Sequence, residues 1–526
     1  MPPAKPKRRT STDPSMPLNP KDQQKFVELL KKLHMAVNSG NVEITMQAMP
    51  KLMELHERFP KNVNVLVLIG RGYMAIRNLP KSIEFYRKAI GIMPMEPDIN
   101  FQYGLALENQ NLLDQALDRF DRVLQKQPDN FYAMRHRTST LDGLGRRQEA
   151  YEGYVEIVEK FKDAELDDNQ LNALAITAAA FAPDYTDPRE SLEGLEERIE
   201  ATNDPDLLRA GSIQLARLHK LFDEHDEAFG WYERGKAVDR DDWDCEKHSA
   251  NIDELIRCWS GGHEIPFSQA KNIDASRLVF IVGMPRSGTS LTEQMLSQLK
   301  DIEPGGEMNV IDAQIHRSEK AAMRHSKPLP VSPHLYTQPV IDSMSKDAMK
   351  AYNKVHRRKS ITDKQPYNYL LVPMIAHILP GAKIIHCTRD PLDCCFSNYT
   401  TAFTQLHMQT HDQYWLGRYF ADYERVMDAW HQLPEVEMID LPYEELVRDA
   451  EGQMRRVVEF IGHEWDDSIL RFHESERKVI TASRDQVKKK LYTSSIAKYA
   501  PYEHRLDELK RGLEEGRARG IGGKDA

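Results

Sequence analysis

The chain has 526 residues, too many for one ordinary core, so two or more domains are expected. Charged residues make up 29% and hydrophobic residues 40%, which excludes a wholly disordered chain; the net charge of -10 argues against a general nucleic-acid surface while allowing a local basic pocket. No run approaches the roughly 18 apolar residues of a membrane span, and the five cysteines (Cys245, Cys258, Cys387, Cys394 and Cys395) form neither a metal-ligand spacing nor a disulfide framework, which fits a reducing cytoplasm.

Residues 1–19 are rich in Pro, Lys, Arg, Ser and Thr without an apolar core, and read as a disordered tail and not as a secretory signal. Beyond them a regular repeat appears, with a period of about 34 residues. Gly70 recurs as Gly104; Ser82 as Ala116 and Ala150; Tyr86 as Phe120 and Tyr154; Ala89 as Val123 and Ile157; Pro94 as Pro128. Small residues let two antiparallel helices approach, an aromatic ring fills the gap between them, and the proline ends the second helix. The pattern resembles the tetratricopeptide repeat. A weaker copy lies at Ala228, Tyr232 and Ala237. The expected array runs over 20–262, with at least three units, because each buries its face only against neighbours. It serves either as a scaffold or as a groove for a peptide or acceptor. The two glycines and the proline of Ser260–Pro266 mark its end.

At Leu278–Val282 an apolar run suits a buried parallel strand. The glycine-bounded loop Gly283-Met284-Pro285-Arg286-Ser287-Gly288-Thr289-Ser290 follows, and then a helical stretch. Strand, loop and helix N-terminus form a cradle for an anion. The spacing is that of the ATP-binding loop, but Thr289 stands where the phosphate-reaching lysine belongs, which argues against a kinase or nucleoside triphosphatase. Arg286 offers a guanidinium fork for a phosphate in its place. A second apolar strand, Ala382–Cys387, runs into Thr388-Arg389-Asp390-Pro391, and Ser397 follows on the next helical stretch.

This pair of motifs resembles the sulfotransferase family, above all the tyrosylprotein sulfotransferases and their bacterial repeat-fused relatives, over about residues 275–515. The resemblance implies that Pro285, Arg286, Ser287, Gly288, Thr289 and Ser290 hold the 5′-phosphosulfate of 3′-phosphoadenosine 5′-phosphosulfate. It implies that Arg389 and Ser397 hold the 3′-phosphate. Gly306-Glu307 matches the family's Gly-Glu-Glu, with one glutamate where two adjoin. Asp363-Lys364-Gln365-Pro366 matches Asn-Lys-Asp-Pro, and Tyr443 opens the Tyr-Glu-x-Leu segment. Ser483 and Lys498, at the family's spacing, match two further donor-binding positions. The implied roles are Glu307 as base, Lys364 and Arg286 as cations on the transferring group, and no metal. His386 is the alternative base, set against its placement in an apolar strand. Lys488-Lys489-Lys490 fall in the segment expected to close over the donor.

The expected fold is thus α+α/β. An all-α tetratricopeptide-like solenoid (20–262) precedes a P-loop-like sulfotransferase domain with a mostly parallel sheet (270–515), and a disordered tail follows (516–526). The acceptor is a hydroxyl on a protein tyrosine, a carbohydrate or a small phenol or alcohol. The competing reading is a repeat adaptor whose nucleotide-binding domain has degenerated. No nucleic-acid partner and no membrane span are expected.

Overall fold

In a computed structural model of the protein, the described residues are 20–39, 41–162, 168–238, 243–260, 264–321, 332–401, 403, 405–474 and 496–519. The chain forms two compact units, Met1–Thr202 and Asn203–Ala526.

Among the described residues, the first unit holds ten α-helices, from Pro20–Val37 to Pro188–Ala201. Helices neighbouring in sequence pack as hairpins: Val63–Ala75 with Leu79–Ile92, Pro97–Asn109 with Leu113–Lys126, and Phe131–Gly143 with Arg147–Phe161. The repeated residues explain the close approach. A Cβ on Gly70 would lie 3.0 Å from the Tyr86 ring, and one on Gly104 would lie 2.6 Å from Phe120. Tyr86 and Phe120 are fully buried. Two further features follow the same period. The turns between helices carry left-handed residues at Arg77, Asn111 and Gly145. Asn62 and Asn130 cap their helices through side-chain bonds to Val65 N–H and Ala133 N–H.

The second unit is built on a five-stranded, wholly parallel sheet in the order β2-β3-β1-β4-β5. The strands are β1 (Leu278–Val282), β2 (Ile302–Pro304), β3 (Ser360–Asp363), β4 (Lys383–Thr388) and β5 (Met438–Pro442). One face, with Val279, Ile281, Ile385, Cys387 and Leu441, packs on the helices Thr289–Leu296 and Ala450–Phe460. The other face meets the helices Gln338–Val355 and Gln413–His431, through Phe280 against Tyr352 and His386 against Tyr423. Burial on both faces accounts for the continuously apolar strands.

The first unit ends well before the repeat limit expected from sequence. The helices Pro205–His219 and His225–Ala237 do form a close hairpin, since a Cβ on Gly235 would lie 2.9 Å from the Ser212 Cβ. They belong, however, to the second unit, as does Cys245–Ser260. The reason is a buried polar seam. Arg418 pairs with Glu246 at 2.6 Å, Ser249 Oγ–H donates to Asp422 Oδ2 at 2.7 Å, and Arg425 is ion-paired with both Asp253 and Asp422. The C-terminal end differs as well. The helix Asp507–Ala518 continues past position 516, because Gly516 packs on Ala421 and Arg517 pairs with Glu424 at 2.7 Å. Residues 1–19 and 520–526, read from sequence as tail, lie outside the described residues.

Candidate active site

In a parallel sheet all carboxyl ends open on one edge, where loops gather side chains from residues far apart in sequence. Here the loop after each strand delivers a sequence-identified residue: Arg286 after β1, Glu307 after β2, Lys364 after β3, Arg389 after β4 and Tyr443 after β5. The edge divides into two clusters.

The first cluster surrounds the loop after β1. Gly283 and Gly288 both have positive φ, and added side chains would strike the Cys387 carbonyl and the Tyr443 ring. Arg286 is itself left-handed, with φ of 72°. That turn sends its guanidinium to Ser397, where Nε–H donates to Oγ at 3.0 Å. Arg389 donates to the Arg286 carbonyl at 2.9 Å, and its guanidinium lies 4.7 Å from the centroid of the Tyr443 ring. The Pro285 carbonyl accepts from Asn398 Nδ2 at 2.8 Å. The helix bearing Ser397, Pro391–Tyr399, is capped by Asp390, whose side chain accepts from Asp393 N–H at 2.9 Å. Burial and then the neighbouring Arg389 charge lower the Arg286 pKa. Thr289 is buried and Ser290 half-buried on the first turn of the following helix. Ser287 Oγ is buried without a hydrogen-bond partner among the described residues. Two adjoining guanidiniums and an unsatisfied buried hydroxyl beside a helix N-terminus fit a phosphate-bearing ligand.

The second cluster lies after β2 and β3. Lys364 is only 2% exposed, and its Nζ contacts Glu307 Oε1 at 2.5 Å, whereas Glu307 is 46% exposed. The Lys364 N–H donates to the Gly306 carbonyl at 2.8 Å. Glu293, which sequence reasoning passed over, fixes this loop: its Oε1 accepts from Gly306 N–H at 2.9 Å and from Thr362 Oγ–H at 2.8 Å. Its signal was the one charged residue of the helical stretch Thr289–Leu296. Asp363, which the sequence placed in the Asp363–Pro366 motif without a role of its own, is buried, and its Oδ2 accepts from the Tyr352 hydroxyl at 2.6 Å. Burial pushes its carboxyl up to about 7, against the pull of that hydrogen bond. The Gly283 N–H donates to the Pro366 carbonyl at 3.3 Å and joins the two clusters. Tyr367, next in that segment, has its hydroxyl 2.7 Å from His407 Nδ1.

His386, the alternative base, has both ring nitrogens engaged, with Asp440 at 2.7 Å and the Tyr423 hydroxyl at 2.5 Å. His431 reaches the same Asp440 oxygen at 3.0 Å. The three side chains place possible ligand atoms within 4.8 Å of one another, a grouping that sequence spacing did not show. Cys387 and Cys394 are packing thiols pushed up to about 12 by burial. Lys498 is brought near the first cluster: the N–H of the preceding Ala497 donates to Asp393 Oδ2 at 2.6 Å. Ser483 and Lys488-Lys489-Lys490 lie outside the described residues. Among the described residues, no helix is long and apolar enough to cross a membrane.

Residues 279–467 match the sulfotransferase family model. An uncharacterized protein of Aquifex aeolicus is 27% identical over 436 residues, covering 80% of this chain and 54% of that protein. Protein-tyrosine sulfotransferase A of Caenorhabditis elegans is 26% identical over 258 residues, covering 45% of this chain and 67% of that protein. Protein-tyrosine sulfotransferase 1 of Danio rerio is 24% identical over 241 residues, covering 42% and 65%. The chain thus spans between about half and two thirds of the length of these relatives. Among solved structures, the sulfotransferase domain of the Synechococcus PCC 7002 olefin synthase aligns with a TM-score of 0.35 at 17% identity, over 47% of this chain and 97% of that one. The TPR protein YrrB aligns with a TM-score of 0.31 at 14% identity, over 36% and 93%.

Proposed function

We propose that the second unit is a sulfotransferase that moves a sulfuryl group from 3′-phosphoadenosine 5′-phosphosulfate to a hydroxyl acceptor. The observation that carries this reading is the Arg286–Arg389 pair, set beside the loop N–H groups and Ser397. Two adjoining cations favour an anion with more than one phosphate, and the missing loop lysine disfavours a triphosphate.

In this reading the loop N–H groups hold the 5′-phosphate, and Arg389 and Ser397 hold the 3′-phosphate. Tyr443 covers Gly288 and borders the same pocket. Ser483 and Lys498 complete the donor set. Glu307 takes the proton of the acceptor hydroxyl, whose oxygen bonds to sulfur as the bond from sulfur to the bridging phosphate oxygen breaks. Charge gathers on that bridging oxygen, and Lys364 and Arg286 supply the compensating cations. Lys364 suits this task because it is buried and pre-positioned, so little reorganisation accompanies the reaction. The exposed carboxylate of Glu307 faces an acceptor arriving from solvent.

A tyrosine hydroxyl is the first acceptor to test, since curated relatives are named for that substrate; carbohydrates and small phenols follow. The helical array is assigned to protein interaction or acceptor recruitment, and the enzyme to the cytoplasm. The donor is tested by thermal melting. At a hundredfold excess over Kd, 3′-phosphoadenosine 5′-phosphate should stabilise the protein by about 2.7 kcal/mol. ATP at equal concentration should do much less, and equal stabilisation by the two would refute the donor assignment. Labelled donor with a panel of peptides, glycans and phenols then identifies the acceptor.

A further inference from the structure

A further group of side chains gathers at the β5 edge of the sheet. His386 on β4 and Asp440 on β5 are partners in the parallel register, so their side chains leave the sheet on one face. His431 is the last residue of the helix Gln413–His431, which packs on that same face through Tyr423. The three side chains meet at one oxygen: Asp440 Oδ1 lies 2.7 Å from His386 Nδ1 and 3.0 Å from His431 Nε2. Among the described residues, Asp440 pairs with no lysine or arginine. Exposure rises from His386 at 6% through His431 at 32% to Asp440 at 47%, so the cluster has a buried floor and an open side.

The hydrogen bonds on the far side of each ring bear on which nitrogen is bare. His431 Nδ1 lies 2.7 Å from the Met427 carbonyl, which can only accept, so Nδ1 carries the proton. In the neutral ring Nε2 then offers a lone pair, and it faces a carboxylate oxygen that offers another. Two lone pairs at 3.0 Å call for a positive charge between them. His386 is backed in the same way, since its Nε2 lies 2.5 Å from the Tyr423 hydroxyl, a group able to accept as well as donate. With its proton on Nε2, His386 also turns a bare nitrogen, Nδ1, towards Asp440. Two ring nitrogens and a carboxylate oxygen then converge within 4.8 Å of one another. A partner on the far nitrogen of each ring is the usual support of a metal-ligating imidazole. A second proton on His431 relieves only the His431 contact, whereas a divalent ion satisfies all three atoms at once.

We infer that His386, His431 and Asp440 form a binding site for a divalent transition-metal ion of the zinc type, held by His386 Nδ1, His431 Nε2 and an Asp440 carboxylate oxygen. Two imidazoles with one carboxylate suit zinc and its neighbours, and disfavour magnesium and calcium, which take oxygen ligands. Water completes the coordination on the open side. The ion acts as a staple: it ties the C-terminal end of Gln413–His431 to β4 and β5, and the same helix carries Arg418, Asp422 and Arg425 of the polar seam. It takes no part in the transfer step, so this inference is independent of the donor reading.

The test is calorimetric titration of the full chain with zinc, after removal of metal by a chelator, for the parent, His431→Gln and Asp440→Asn. The parent should bind one zinc ion more than either variant, and magnesium should not take its place. Zinc should raise the melting temperature of the parent, because an ion that binds only the folded state stabilises it, and the rise should be lost in both variants. Cobalt(II) in place of zinc reports the ligand type. A visible spectrum without thiolate charge-transfer bands fits nitrogen and oxygen ligands, whereas a spectrum dominated by those bands would put the ion on cysteine and overturn the inference. A parent that binds no zinc would overturn it, as would zinc uptake that persists undiminished in both variants; the cluster would then be an imidazolium–carboxylate pair. If one variant does not fold, the other decides, and the cobalt(II) spectrum of the parent decides without either.

Discussion

The two units of this chain are built on opposite length scales. In Met1–Thr202 the helices pack chiefly on their neighbours in sequence, and the same three devices return along the array: a small residue facing a ring, a left-handed turn residue and a helix cap. In Asn203–Ala526 the decisive contacts join residues far apart: Arg286 with Ser397, Arg389 with the Arg286 carbonyl, Lys364 with Glu307, and Arg418 with Glu246. A repeat array spreads its stability along the chain, so damage stays local. An α/β site depends on every loop at once.

Truncation tests that contrast most severely. A chain beginning at Asn203 should fold and bind 3′-phosphoadenosine 5′-phosphate as the full protein does. One beginning at Glu264 leaves Arg418, Asp422 and Arg425 buried without their partners on Cys245–Ser260, and breaking a buried pair costs about 3–5 kcal/mol. It should show no cooperative melting transition. A stable donor-binding product from the shorter chain would show that the three helices are dispensable.

Within the second unit, Glu307→Gln keeps the shape of the side chain and removes the base. Turnover should fall by about 10²–10⁴-fold, while donor affinity stays near that of the parent. An acidic acceptor such as a nitrophenol should recover part of the loss. Parental turnover on an unactivated phenol would dismiss Glu307, and His386 would be tested next despite its engaged nitrogens.

In the first unit, Gly104→Ala places a Cβ 2.6 Å from the Phe120 ring. Overpacking of that kind costs about 1–3 kcal/mol. The damage should appear in the melting of the array and leave nucleotide affinity unchanged; a drop in donor affinity would mean that the two units are energetically coupled.

A further effect in the second unit concerns pH. Asp363 has its carboxyl raised to about 7 by burial, so the folded state holds this proton where the unfolded chain, with an ordinary carboxylate near 3.8, releases it. Its contribution is full below the unfolded value and is lost as pH rises towards 7, with a slope of at most about 1.4 kcal/mol per pH unit. Asp363→Asn removes that slope and retains an acceptor for the Tyr352 hydroxyl. The melting temperature of the variant relative to the parent should therefore climb between pH 5 and pH 8, and a constant difference would place the carboxyl elsewhere on the pH scale.

Much of this molecule was legible in its residues. The repeat period announced helical hairpins because each unit poses one packing problem again, and its ring-to-glycine contacts follow directly from residue type. The strand-loop-helix at Leu278–Leu296 was legible for a similar reason: an apolar run, two glycines and a helix N-terminus are local features. The motif set placed residues after all five strands, since parallel strands end at one edge whatever their order. Tertiary structure alone decided the rest. Glu293 and Asp363 looked like members of a helix and of a loop motif, and only folding buries them under Gly306 and Tyr352. The helices 205–260 carry a weak repeat signature, yet the buried charges of Gln413–His431, far downstream in the chain, draw them into the other unit. Periodicity records what a residue needs from its near neighbours, whereas a buried charge is satisfied by whichever partner the fold brings to it.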